Sequence, residues 1–305
     1  MNSSRSLCKE HIRRIMLDAG ADAVGFAEAV PVSGEAELRY NRWIADGRHA
    51  GMSYMERYPD VRRDPRLLLE GAHTVIVTAF NYTPARRQPH GAPRIADYAL
   101  GLDYHDVIRA RLGGAAEKMK QMYGGETRIC VDTAPLRERY WAVRAGLGFI
   151  GLNNQLIVPG IGSRVFIGTL LWTETVDPDM PCTDSCGRCG ACLKACPAQA
   201  LQPDGSGLDA RRCLSYLTIE HRGELPEDLH TGGRLYGCDA CQEVCPHNMA
   251  AAPASIREFT PSDDILSLTV GNIAGMDADR FRTLFRNSAV RRTKLEGLRR
   301  NLRHL

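Results

Sequence analysis

Between residues 182 and 245 the chain places nine of its eleven cysteines. Four of them, Cys186, Cys189, Cys192 and Cys196, stand in the order C-x2-C-x2-C-x3-C, with Pro197 directly after. No other feature restricts the fold as much. The spacing lets a tight loop wrap three thiolates around one 4Fe-4S cube while the fourth points away to serve a second cube. A zinc site would use two C-x2-C pairs and has no need of a third cysteine or a terminal Cys-Pro. The stretch YGCDACQEVCPHN repeats the end of that motif as Cys238-x2-Cys241-x3-Cys245-Pro246. Seven ligands are then in hand, and Cys213 in LDARRCLSYLT supplies the eighth. The pattern predicts one cluster on Cys186, Cys189, Cys192 and Cys245, and the other on Cys196, Cys213, Cys238 and Cys241. Cys182 is the competitor to Cys213, whereas Cys8 and Cys130 read as small hydrophobes in a core.

A chain of 305 residues can bury a core much larger than a cluster-held scaffold needs. Its net charge of +3 names no partner. No apolar run suggests a membrane span, and Arg13-Arg14 precedes IMLDAGADAVG, which lacks the apolar core of an export signal. The expected location is the cytoplasm, where thiols stay reduced and serve as metal ligands rather than disulfides. Apolar spacing predicts a helix over residues 5 to 19 and strands at 22–27, 74–80, 128–132 and 164–172. Helical patterns lie near 35–45, 103–123 and 136–145. Residues 1–175 therefore read as an N-terminal α/β domain. The prolines and glycine of VDPDMPCTDSCG open a ferredoxin-like domain at 176–250, and 251–305 is a short helical, basic C-terminal segment. Overall the fold class is mixed, α/β followed by α+β.

An electron carrier needs only the cluster segment, so the preceding 175 residues point to a catalytic domain fed by the clusters. No G-x-G-x-x-G follows a strand; the glycines of AGLGFIG, 145–151, end a helix and begin a turn. In ICVDTAPLRERYWAVRAG, Asp132 closes a strand, and Pro135 suits the first turn of the next helix. At the carboxyl end of an open α/β sheet Asp132 would meet a ligand. It could equally cap the helix.

The segments GMSYMERYPDVRRDPRLLL (51–69), LDYHDVI (102–108), VDTAPLRER (131–139), AGLGFIG, the first cysteine motif, LDARRCLSYLTIEHRGELP (208–226) and GRLYGCDACQEVCPHN (233–248) together resemble the epoxyqueuosine reductase family, over nearly the whole chain. The resemblance implies reduction of the epoxide of epoxyqueuosine in a tRNA anticodon loop, the last step of queuosine synthesis. It implies base-off cobalamin in the N-terminal domain, two 4Fe-4S clusters, and Asp132 as proton donor. It also carries Arg62, Leu156, Ile157, Val158, Ser215 and Tyr216 into the cobalamin surroundings, and makes Cys213 a cluster ligand. Leu152 and His247 depart from the family's usual Lys and Trp. Many members continue into helical repeats where this chain ends. Asp228-x-His230-x-x-Gly233 matches a cobalt-histidine signature, but its place between the cysteine motifs makes it a coincidence.

On this reading the clusters, charged by a low-potential electron donor, reduce cobalt, and Asp132 protonates the opening oxygen. That task requires partial burial to raise the Asp132 pKa. The expected protein is a monomer without membrane contact. The basic tail RRTKLEGLRRNLRHL, 291–305, fits RNA phosphates or forms a solvated basic helix. Two alternatives are a cobalamin-dependent reductive dehalogenase-like enzyme and an iron-sulfur electron-transfer protein.

Overall fold

The computed structural model describes residues 9 to 305. The first helix, α1 (Lys9–Asp18), turns Ile12, Ile15 and Met16 inward; the start of the expected helix and Cys8 lie outside the described residues. The sheet strands are β1 (Ala23–Glu28), β2 (Thr74–Asn81), β4 (Thr127–Cys130) and β7 (Val165–Trp172). Three two- or three-residue strands accompany them before residue 160: β3 (Arg94–Ile95), β5 (Phe149–Ile150) and β6 (Leu156–Ile157). Helices α2 (Gly34–Ala45), α3 (Pro59–Arg63), α4 (Tyr104–Tyr123) and α5 (Glu138–Arg144) intervene.

The order is β1-β2-β7-β4, with every neighbouring pair antiparallel. This corrects the premise of an open α/β sheet whose strands end together on a ligand. Central β2, TVIVTAFN, is buried at all eight positions because helices or loops cover both faces. On one face Phe26, Ile76 and Phe80 pack with Ile12 and Met16 of α1 and Ile108 and Leu112 of α4. Each such side chain contributes about 1.5–3 kcal/mol by leaving water. A Cβ at Gly168 of β7 would come within 2.8 Å of Ile108 and Leu112, so the close crossing of α4 requires glycine there. On the other face Val75, Val77 and Leu171 meet Trp141 and Ala142 of α5, with Leu156 and Val158.

Two local expectations shift. Strand β4 stops at Cys130 rather than at 132, and α5 begins at Glu138 with Arg137 as its N-cap. Pro135 is therefore in the connecting turn, and Asp132 caps no helix.

Beyond β7 the elements are short, as a loop organised by cysteines requires: α6 (Ala191–Ala195), α7 (Leu214–Ile219), β8 (Arg234–Tyr236) and α8 (Ala240–Glu243). Strand β8 pairs in parallel with β3, and Asp97 N donates to Asp239 Oδ2 at 2.7 Å, so this region is tied to the first 100 residues. Four further helices follow, α9 (Asp263–Leu266), α10 (Val270–Ala274), α11 (Ala278–Leu284) and α12 (Lys294–Leu302). Their Ile273, Phe285, Val290 and Leu298 form one core with Leu100, Ile219, Leu235 and Tyr236. Among the described residues no helix is long and apolar enough to cross a membrane.

Candidate functional site

The eight paired cysteines fall into two electrostatic groups. The Cys192 and Cys245 thiols are pushed up, first by burial and then by Cys186 and Cys189. These four also line one small cavity with Leu152, Asn153, Ile157 and His247. Burial likewise pushes up Cys213, which also feels Cys196, and Cys238, raised to about 11, which also feels Cys213. Cys241 is raised by burial and by Cys238, Cys213 and Cys196 together. Packing four acids around one spot penalises bare thiolates, so each group fits a cationic iron-sulfur centre that offsets the repulsion. Among the described residues no three His, Cys, Asp or Glu are placed to hold a single metal ion. Bonds of about 2.3 Å would draw thiolates together around one zinc, whereas a cube holds its ligands farther apart. Cys182 packs beside Phe149, Ile157 and Cys245. Cys130 is buried in the sheet core, its thiol pushed up to about 11 by burial.

Asp132 sits two residues past β4 in a left-handed conformation, φ 55°. Its side chain is 58% exposed, yet Tyr54, Tyr98, Tyr104, His105, Glu138 and Arg139 all feel or alter its charge. It therefore sits exposed within a ring of titratable side chains, the Asp132 bowl. His105, in the first turn of α4, holds Asp103 Oδ1 at 2.6 Å on Nδ1 and Asp132 Oδ2 at 3.1 Å on Nε2. With a carboxylate at each ring nitrogen, the imidazole satisfies both when doubly protonated. Burial opposes that charge, but the hydrogen bonds and charges of Asp103 and Asp132 outweigh it and raise His105 to about 9.

Burial also acts to raise Asp132, but His105, Arg139 and Tyr104 overcome it and hold the carboxyl below its ordinary value. The expected upward shift of Asp132 is thus corrected: its neighbours hold the carboxyl toward its ionised form. Glu138, which opens α5, accepts a hydrogen bond from Asp132 N at 2.7 Å. Burial, followed by the Asp132 charge, raises it to about 8. Arg139 adjoins Glu138 and feels Asp132 on one side and Cys241 on the other, which places the bowl against the second cysteine group. None of His105, Glu138, Arg139 and Asp103 was singled out from the sequence as a site residue. The signals were the Asp103-x-His105 spacing at a helix start and the crowded charges of LRER.

Leu156, Ile157 and Val158 are buried, Leu156 and Val158 in the core against α5 and Ile157 beside Phe149 and Cys245. Gly148 fits against them because a Cβ there would lie 2.0 Å from Ile157 O, a second reason for glycine in AGLGFIG beyond ending α5. Ser215 and Tyr216 occupy α7 directly after Cys213, and Tyr216 Oη accepts from Gly51 N at 2.9 Å. Arg62 is buried, and its guanidinium donates to Tyr54 O and Arg57 O at 2.8 and 3.0 Å. It organises the 51–58 loop through these bonds. His230 is exposed on the loop before β8.

The basic tail is in part tied into the protein. Arg300 is 6% exposed and donates to Leu217 O, His221 O and Gly223 O at 2.8, 2.8 and 2.9 Å. Asn301 donates to Thr218 O and Leu235 O. Arg292 grips Glu220, Arg303 grips Glu224, and Arg299 donates to Met276 O. Helix α12 is thus a strap over the end of α7, because its cations meet carbonyls and carboxylates that would otherwise be orphaned.

The chain is similar in sequence and fold to known proteins. The family described as epoxyqueuosine reductase QueG matches residues 62–133, and a 4Fe-4S double cluster binding domain matches 185–248. The epoxyqueuosine reductase of Cellulophaga algicola is 39% identical over 96% of this chain and 94% of its own length. That of Leadbetterella byssophila is 38% identical over 98% of both chains. A crystal structure of epoxyqueuosine reductase with an epoxyqueuosine-modified tRNA-Tyr stem loop superposes with a TM-score of 0.86 at 30% identity, covering 96% of this chain and 79% of that one.

Proposed function

The chain belongs to the epoxyqueuosine reductase family, and we propose that it reduces the epoxide of epoxyqueuosine in tRNA at the Asp132 bowl, leaving the alkene of queuosine. The observation that carries the site is a carboxylate flanked by two proton-loaded groups and set beside a four-cysteine group.

Opening an epoxide to an alkene consumes two electrons and two protons and releases the oxygen as water. Two 4Fe-4S clusters on the cysteine groups carry the electrons. The exposed Cys189 makes the first group the point of entry for a low-potential donor, and the charge interaction of Cys241 with Arg139 makes the second the point of delivery. Base-off cobalamin suits an open bowl floored by an acid and backed by apolar residues. Leu156, Ile157 and Val158 would support it, with Ser215, Tyr216 and the loop fastened by Arg62 at its edge. Cobalamin held there would supply a low-potential metal centre able to reduce the epoxide.

The chain's own part is to hold and move protons. His105 holds one proton against Asp132, ready to pass to the epoxide oxygen as negative charge develops there. Glu138, raised to about 8, stores the second. Asp132 is then the conduit, ionised at rest and protonated transiently from its neighbours. Arg139 and the His105 imidazolium keep the clustered carboxylates from repelling one another out of place. The working protein is a monomer.

The test uses anaerobically prepared protein, epoxyqueuosine-containing tRNA and a low-potential reductant, with and without cobalamin, followed by mass spectrometry of the nucleosides. Loss of one oxygen mass only with cobalamin supports the proposal. Asp132→Asn should abolish that loss while iron content and the cobalamin spectrum stay at wild-type values. Normal turnover by Asp132→Asn would refute the acid pathway.

A further inference from the structure

We infer that the phosphates flanking the modified nucleoside are gripped at the mouth of the Asp132 bowl by Arg109, Arg286 and Arg291. The inference rests on the bowl being the epoxide site. Arg109 lies one turn beyond His105 on α4, with its side chain 43% exposed. Its Nη2 donates to Thr133 Oγ1 at 2.8 Å and reaches Val131 O at 3.5 Å, so the guanidinium brackets Asp132 on both sides. The nearest carboxylate, Asp106, is loosely held at 3.8 Å.

The turn from Arg286 to Arg292 borders the same opening. Asp103 N, at the start of α4, donates to Asn287 O at 2.6 Å. Across the mouth, the Arg292 guanidinium lies 5.8 Å from the ring of Tyr54, which itself feels the Asp132 charge. Within this turn the arginines divide. Arg292 is neutralised by Glu220. Arg291 makes only a hydrogen bond to Arg286 O, and among the described residues Arg286 has no acidic partner. Both are exposed.

Unneutralised guanidiniums around a concave reactive centre suit a polyanion whose reacting group enters the bowl while its backbone stays at the rim. A single-stranded RNA loop has that form, and recognition of such loops combines phosphate contacts with stacking on aromatic and guanidinium planes. Tyr54, 38% exposed under Arg292, supplies such a plane.

The experiment measures binding of an epoxyqueuosine-modified stem loop to the cluster- and cobalamin-loaded protein over a range of salt concentrations. Three forms are compared: wild type, the double variant Arg286→Gln plus Arg291→Gln, and Arg282→Gln as an equal-chemistry control on α11. Losing two phosphate contacts should lower the slope of log affinity against log salt by about 1.4, from about 0.7 per contact on single strands. The control should keep the wild-type slope. Iron content and the cobalamin spectrum verify folding, and Arg286→Gln alone, with about half the change, replaces the double variant if that loses iron. A folded variant with an unchanged slope overturns the inference. Wild-type protein assayed alongside for oxygen loss separates the two failures. Turnover with an unchanged slope sinks only the rim, and absence of turnover sinks the reading beneath it.

Discussion

Replacing Arg300 by Met should loosen the second cysteine group without touching any cysteine. Arg300 is buried, and its three bonds to Leu217 O, His221 O and Gly223 O close the C-terminal end of α7, the helix that Cys213 opens. Met fills much of the stem's volume but leaves three carbonyls without donors. A buried polar group left unsatisfied costs about 1–3 kcal/mol. Water reaches some of them, so about 3–5 kcal/mol is expected in total, a large part of the 5–15 kcal/mol typical of a domain. The loss should appear locally, because α12 and α7 are small units with few other attachments. Hydrogen exchange on the anaerobic protein should show residues 214–223 exchanging roughly a hundredfold faster or more, as 3 kcal/mol implies at 1.4 kcal/mol per decade. Iron removal by a chelator should speed up for one cluster only. Wild-type exchange across 214–223 together with unchanged iron release would refute the assignment of α12 as a strap.

Three further outcomes are expected. His105 is raised by its carboxylate partners, so it is charged below about pH 9 and loses its proton as pH rises through that value. Turnover, and the stability contributed by the two ion pairs, should fall in the same window. Asp103→Asn should draw the alkaline limb of the pH-rate profile down toward 6.5, and an unmoved limb would remove His105 from the proton path. Glu138→Gln should slow turnover by about 10²-fold, at the low end of general-acid effects, with stem-loop affinity intact; an unchanged rate would mean the second proton comes from elsewhere. Cys196→Ala and Cys213→Ala should each lose about four irons, whereas Cys182→Ala should keep its full complement; the reverse result for Cys182 and Cys213 would exchange their roles.

The double-cluster segment was legible because a short loop around a cube imposes fixed spacings on its ligands, whatever the rest of the chain does. The main strands and α4 were legible from apolar periodicity. The direction of the strands was not, since TVIVTAF and RVFIGTLLW read as buried strands in a parallel or an antiparallel sheet alike. Asp132 could be found, but its charge state could not. That depends on His105, which is 27 residues away in sequence and reaches it only because α4 crosses β7 at Gly168. The tail misled for a related reason. A run of arginines looks alike whether it faces solvent or the carbonyls at the end of α7, and only the tertiary contacts of Arg300 and Asn301 decide.

The left-handed backbone at Asp132 also limits which acid could occupy the position. Aspartate and asparagine tolerate that region far better than longer or branched side chains, since a short polar group can bond locally there. Glutamate would carry the same functional group one methylene farther but would favour return of the peptide to a right-handed turn. That rotation would swing the 132 N–H away from Glu138 and break the 2.7 Å bond through which the two acids are kept in register. The choice between two chemically equivalent carboxylic acids is thus made by the main chain, and lengthening the side chain by one carbon would cost the site its second proton reserve as well as the position of its first acid.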